Sequence, residues 1–366
     1  MHDLGNGSFD IPANGQSATF LNQAPFNGPS LLNGTLTITA TLPVAVIALR
    51  GITNERGEFL ITTLPIANLA APAATNTTLV FPHFADGSGW ITEIALVNPG
   101  DTPLTGRVEF RNPSGQNTNI GIGGQVNSSF AYSIPPKTSQ KLQTSGTSNG
   151  ITTGSVRVVP ATNTAAPAGV VIFSLRTGGV TTSAAGVPPI APDTAFRMYA
   201  EMAGAFANAA VGSIQTGIAV TNLSTTTATV NLELFKLDGS STGLVGTMSV
   251  PANGQQATFL NQIPGFQSVG LPFQGVLRAS STANISVLGL RGRYNERGDF
   301  LMTTTPPTDE AAPASTSPLF VPHLADGGGF TTQFVLFSGT AGQSSSGTLQ
   351  FFAQSGSPLN LSLQDH

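Results

Sequence analysis

Residues 11–23, IPANGQSATFLNQ, return almost letter for letter as residues 250–262, VPANGQQATFLNQ. A weaker third copy, residues 134–143 (IPPKTSQKLQ), lies between them at offsets of 123 and 116 residues. A chain that repeats itself on this scale must fold as successive copies of one unit. The size of the unit narrows the choice, because propeller blades and solenoid turns are usually about 50 residues or fewer. A unit this long has the residues to bury a core of its own.

The pattern inside the unit is that of strands. Residues 34–42, GTLTITATL, alternate strictly, with Leu36, Ile38 and Ala40 on one face and Thr35, Thr37 and Thr39 on the other, as a half-buried strand requires. Residues 44–50 (VAVIALR) and 59–64 (FLITTL) flank GITNERGE at 51–58, a hairpin with a polar, Gly-punctuated loop. The hairpin returns as 285–291, 292–299 (GRYNERGD) and 300–305, while the middle copy keeps strands 169–176 and 180–185 around the short turn Thr177-Gly178-Gly179. The other half of the unit reads as strands 79–84, 92–97 and 106–111 with a DGSG turn at 86–89. Its copies lie at 320–324, 332–337 and 347–352, and at 198–202, 216–220 and 229–235. Thr92, Thr216 and Thr332 keep the same cadence.

Aligning the copies gives eight short strands per unit, near 79–84, 91–97, 105–111, 129–134, 138–143, 154–159, 168–176 and 180–186. Turn signals every 8–12 residues make this the pattern of an antiparallel β-sandwich. The 42 Gly, 26 Pro and abundant Thr agree with an all-β chain rich in turns. Complete units are expected at 78–186 and 196–306, with linkers at 67–77, 187–195 and 307–317. Residues 1–66 hold only the later strands of a unit and 318–366 only the earlier ones. The two pieces therefore read as one unit split between the termini.

Through PANGQ, NERG[ED]FL and PH[FL]ADG as they stand here, nearly the whole chain resembles the tandem immunoglobulin-like β-sandwich repeats of secreted bacterial surface and adhesin-like proteins. The resemblance implies three tandem immunoglobulin-like units, extracellular structural or adhesive work, and no catalytic residues to carry over. Completion of a split unit looks like strand complementation between pilus subunits, although half a domain is larger than one donated strand.

Composition removes several classes of function. Charged residues make up 9% of the chain and the net charge is −4, which leaves no basic footprint for nucleic acid or an anionic membrane. There is no cysteine, so packing must supply the stability. No apolar run reaches the roughly 18–20 residues of a membrane helix. Residues 2–10 are polar, so secretion requires a leader outside this sequence.

Few side chains suggest chemistry. Gly239-Ser240-Ser241-Thr242-Gly243 has the G-x-S-x-G spacing but lies in a β pattern, and a nucleophile elbow needs a strand-to-helix turn. His83 and His323 precede Asp86 and Asp326. Two ligands fall short of a zinc or calcium site, so both histidines are read as structural, with Ala200-Glu201 in their place in the middle unit. Arg50, Arg176 and Arg291 end equivalent strands and are read as caps or inter-unit contacts. Trp90 is read as core. No enzyme activity, metal or cofactor is expected.

The expected function is a surface filament subunit that polymerises head to tail, with the chain itself as partner. The expected joint uses Phe9, Ile11, Leu36, Ile38, Val46, Ile47 and Leu60 on one side. On the other it uses Val321, Phe334, Leu336, Leu349, Phe351, Leu359, Leu361 and Leu363. Three alternatives stand beside it: a stretch of a longer array, a closed three-unit monomer, and an adhesin stalk binding surface glycans or proteins. The loops at Asn54, Glu55, Arg56 and at Asn295, Glu296, Arg297 are the candidate partner contacts for the stalk.

Overall fold

Antiparallel strands form wherever the repeat is present in full. The computed structural model describes residues 6–29, 34–64, 66–69, 75–313, 317–339 and 343–364. The chain divides into two compact bodies, one built on residues 48–314 and one on the terminal segments 1–47, 315–338 and 343–366.

In the larger body, β1 (Ala48–Thr53) and β2 (Phe59–Leu64) make a hairpin around the first NERG loop. The first complete copy contains β3 (Leu79–Asp86), β4 (Trp90–Val97), β5 (Leu104–Arg111), β6 (Ile120–Ile122), β7 (Gln125–Asn127), β8 (Ser129–Ile134), β9 (Ser139–Gln143), β10 (Thr152–Pro160), β11 (Ala168–Thr177) and β12 (Val180–Val187). The eight expected strands are all there, and the small β6–β7 hairpin is additional. They form two four-stranded sheets, β3-β10-β5-β8 and β12-β11-β4-β9. Phe81, Phe84, Val108, Phe110 and Val156 of one sheet share a buried cluster with Ile94, Leu96, Val171 and Phe173 of the other, a sandwich-like arrangement. Each such side chain contributes about 1.5–3 kcal/mol through burial.

The second complete copy contains β13 (Asp193–Ala203), β14 (Ile214–Asn222), β15 (Ala228–Lys236), β16 (Ser241–Val250), β17 (Gln255–Phe259), β18 (Phe273–Tyr294), β19 (Phe300–Thr305) and β20 (Thr308–Asp309). Here one strand of 22 residues replaces two. The first part of β18 pairs with β13 and β15, as β10 pairs with β3 and β5; its last part pairs with β14 and β19, as β11 pairs with β4 and β12. In the first copy Pro160 and Pro167 bracket the break between β10 and β11, and proline supplies no ladder donor. Residues 273–294 contain no proline, and the strand runs on.

Two expected linkers are not free spacers. Between β12 and β13 only residues 188–192 remain, and Pro188, Pro189 and Pro192 keep them out of a ladder. Ile190 is pinned there: its N–H donates to Val80 O at 2.9 Å and its carbonyl accepts from Ser286 Oγ at 2.9 Å. The 307–317 segment begins with β20 on the edge of β13. Glu310 follows, taking Arg197 Nε at 2.7 Å and Arg278 Nε at 2.9 Å. Residues 70–74 and 314–316 of the expected linkers lie outside the described residues.

The threonine cadence has a structural cause. Thr92 Oγ1 donates to Ala85 O at 2.6 Å and accepts from Ala85 N at 3.2 Å. Thr216 does the same with Glu201 at 2.9 and 2.8 Å, and Thr332 with Ala325 at 2.7 and 3.1 Å. One hydroxyl satisfies both backbone groups of a residue before the turn.

The terminal body corrects an expectation. The segments 17–21, 34–42, 320–324, 332–337 and 347–352 pair in no ladder among the described residues; isolated bridges at Gly327–Phe330 and Phe352–Pro358 are the pairing seen there. Alternation fixes which faces a strand would show, but a strand persists only beside partners. In the first copy β4 lies between β11 and β9. The carboxy-terminal piece has counterparts for those two strands only in the amino-terminal piece, and among the described residues no ladder joins the pieces.

Candidate assembly surfaces

The two NERG loops are built alike. Asn54 Oδ1 accepts from the N–H groups of Arg56 and Glu58, and Asn295 Oδ1 from those of Arg297 and Asp299. Gly57 and Gly298 take φ of 78° and 79°, the left-handed turn that glycine allows. The loops then meet reciprocally: Arg56 reaches Asp299 at 2.5 Å and Arg297 reaches Glu58 at 3.0 Å. Hydrogen bonds from Arg56 to Asp299, and from Asn54 to Glu58, hold both carboxyls below their usual range. Glu55 accepts from Thr181 N at 2.7 Å and from Arg176 at 2.9 Å, and Asn54 Nδ2 donates to Thr181 O at 2.9 Å. Glu296 pairs with Arg293 near the end of β18. Five of the six loop residues singled out in the sequence are thus engaged within and between the two loops or with the adjoining ends of β11 and β12; Glu296 alone faces its own strand.

Both hairpins also press on β12. Ser183 Oγ accepts from Met302 N and donates to Met302 O, Thr304 Oγ1 donates to Gly186 O, and Thr62 Oγ1 accepts from Gly186 N. A Cβ at Gly186 would lie 2.5 Å from Thr63 O, so only glycine fits.

The residues expected at a filament joint lie mostly at the surface. Phe9, Ile11, Leu36, Ile38, Val46, Ile47, Val321, Leu336, Leu349, Leu359 and Leu363 are exposed, and Leu60, Phe334, Phe351 and Leu361 are half-buried. The Phe334 and Phe351 rings pack with centroids 5.5 Å apart and planes tilted by 60°. Leu349, Phe351, Leu359 and Leu361 line an open cleft of about 420 Å³ that contains no titratable side chain.

A joint that the sequence did not foretell links two of its repeated motifs. Between Phe81↔Val156 and Phe84↔Gly154 the β3–β10 register slips, so Pro82 and His83 stand opposite Ser155 alone. This is a bulge, a feature that re-aims a side chain. It turns His83 to Gln255, whose Nε2 lies 3.2 Å from His83 Nδ1. The ring is buried edge-on to Phe173 at 5.8 Å, and burial pushes its pKa down to about 4. Beside it, Gln255 N donates to Pro113 O at 3.1 Å, and a Cβ on Gly115 would fall 2.0 Å from Ala252 O. The PANGQ turn of the second copy therefore sits on the Asn112–Gln116 hairpin and bulge of the first.

The terminal body contains the same joint. Gln16 Nε2 lies 2.7 Å from His323 Nδ1, Gln16 N donates to Gln354 O at 3.1 Å, and a Cβ on Gly356 would fall 2.0 Å from Ala13 O. The second complete copy differs from the sequence-based alignment. Register places Glu201, across from Gln274, at the level of Ala85, across from Thr153, with no bulge and no counterpart of His83. Glu201 instead takes Arg291 and the Tyr199 hydroxyl.

The remaining features have local roles. Ser240 donates from N and Oγ to Asp238 Oδ1 in a surface hairpin. Asp86 Oδ1 accepts from Gly146 N at 2.9 Å. Trp90 packs edge-on to Phe173 and Phe300. The buried anchors Asn98 and Asn222 were missed: each amide donates to three carbonyls, Thr102, Ile134 and Pro135 for one, Thr226, Val250 and Pro251 for the other. Their signal was an Asn at the end of aligned strands. No protein-family model, no curated protein and no solved structure matches the chain.

Proposed function

We propose that the protein is a non-enzymatic, extracellular structural protein of three immunoglobulin-like units, assembling head to tail by completion of the split unit between copies. One contrast carries the reading. Val80, Phe81 and Leu96 are 2%, 0% and 0% exposed, whereas their repeat counterparts Phe320, Val321 and Leu336 are 76%, 64% and 66% exposed. The same strand pattern is core where its partners are present and surface where they are not.

The first hairpin offers a place for the missing strand. Among the described residues β1 pairs with β2 alone, while β11 and β18 at the same place in the unit also pair with β4 and β14. An open edge next to apolar strand faces favours strand addition, and a heterologous contact that does not close gives a filament. A joint burying on the order of 2,000 Å² of apolar surface contributes tens of kcal/mol before ordering costs, at about 25 cal/mol per Å². The test is a chain with a second copy of residues 318–366 fused ahead of Met1. Supplying the missing half in cis is expected to stop assembly; assembly at the unmodified rate would reject the reading.

A second reading is favoured by the recurrence of the PANGQ joint: a stretch of a longer array, with neighbouring units supplying the missing strands in cis. Extending the chain at both ends by the corresponding halves would then bury the same apolar residues without any polymer.

A further inference from the structure

We infer that a two-part turn joint decides which unit docks on which: a Pro-x-Asn-Gly-Gln key on one unit and a bulge histidine with its neighbouring glycine hairpin on the other. The occupant accepted by such a socket is a β-sandwich unit that carries this key.

Two examples share the Gln–His contact, the backbone bond from Gln to the hairpin and the close approach at its glycine; among the described residues the bulge is seen at His83. The keys are residues 12–16 and 251–255; the sockets are His83 with the Asn112–Gln116 hairpin and His323 with the Ala353–Ser357 hairpin. Each key is a turn with left-handed Asn, φ 58° at Asn14 and 55° at Asn253. The glycine that follows admits no side chain: a Cβ would meet Gln354 O at 2.7 Å from Gly15 and Pro113 O at 2.4 Å from Gly254. The second copy presents its key rigidly, through Asn222 N to Gly254 O and Asn253 N to Ser224 O, both 3.0 Å.

The turn and hairpin that stay out of the joint explain its selectivity. Residues 135–139 of the first copy make the same backbone turn, with Lys137 at φ 58°. Thr138 stands where the key has glycine and Ser139 where it has Gln, so both the close approach and the bond to histidine are lost. The second copy has the socket's hairpin, with Lys236 N bonded to Ser240 O and Gly239 N to Lys236 O. It lacks the bulge histidine, and a Cβ on Gly239 would meet nothing within 4 Å. Each complete unit therefore carries one half of the joint and lacks the other, while residues 1–66 carry a key and residues 318–366 a socket. The repeating element is a pair of units, which the sequence offsets show: 239 residues between the keys and 240 between the histidines.

The joint between the complete copies lies inside one chain, so its test does not depend on polymerisation. Full-length wild type is compared with Gly254→Thr, Gln255→Ala and the control Gly239→Asn. Hydrogen exchange is followed in peptides covering 112–116 and 251–256, and the His83 ring titration by NMR. Gly254→Thr is expected to speed exchange in both peptides by about tenfold, the equivalent of one lost hydrogen bond, and to move the His83 midpoint up from about 4 toward the ordinary 6.5. Gln255→Ala should act in the same direction, and Gly239→Asn should change neither. If Gly254→Thr fails to fold, Gln255→Ala, which keeps the glycine, decides alone. Unchanged exchange at 112–116 in a folded key variant, or an equal change in the control, overturns the inference.

Discussion

His83 is held uncharged because burial leaves no room to hydrate a proton, and its partner Gln255 gives it a neutral hydrogen bond. The unfolded chain binds that proton at the ordinary pKa of 6.5, the folded chain only near 4. Below pH 6.5 the unfolded state thus holds more protons, and stability falls as pH drops toward 4, by up to about 3 kcal/mol. Urea unfolding at successive pH values should show this slope in wild type and lose it in His83→Gln. Thr92 makes a second residue-scale case. Thr92→Val keeps the shape but leaves the Ala85 N–H and carbonyl without their hydroxyl, and should cost about 2 kcal/mol. The same change at exposed Thr102 should stay within about 0.5 kcal/mol. The cadence of Thr92, Thr216 and Thr332 was legible in the sequence; its cause was not, since a side chain bonding across strands leaves no periodic mark.

At the scale of elements, the NERG hairpins act as a reciprocal pair. Reversing Arg56→Glu sets a new carboxylate against those of Asp299 and Glu58 and should raise hydrogen exchange in β1 and β2. Adding Asp299→Arg should restore much of the protection, and 1 M salt should weaken both effects because these pairs are solvent-screened. No recovery in the double variant would show that the loops merely lie side by side. The strands of the first complete copy were readable because alternation and turn residues agree over 79–187. The fused β18 was hidden, because a continuous strand that changes partners along its length, from β13 and β15 to β14 and β19, has the same alternation as two strands. The His83 bulge was hidden as well: one inserted residue shifts a register without changing composition. The terminal strands were overread, because Leu36, Ile38, Phe334 and Leu336 have the right alternation and no ladder to join.

For the whole molecule, the exposed apolar residues of both terminal pieces, Phe9, Leu36 and Ile38 among them on one side and Phe320, Val321 and Leu336 on the other, remain to be covered, and the proposed partner is a second copy. Assembly should therefore depend on concentration. The most direct test is the mass of the purified chain across a dilution series by light scattering, with negative-stain microscopy of the same fractions. Head-to-tail completion predicts masses far above 37.4 kDa that grow with concentration, seen as strings of beads of one unit each. A single species of 37.4 kDa at every concentration would contradict it.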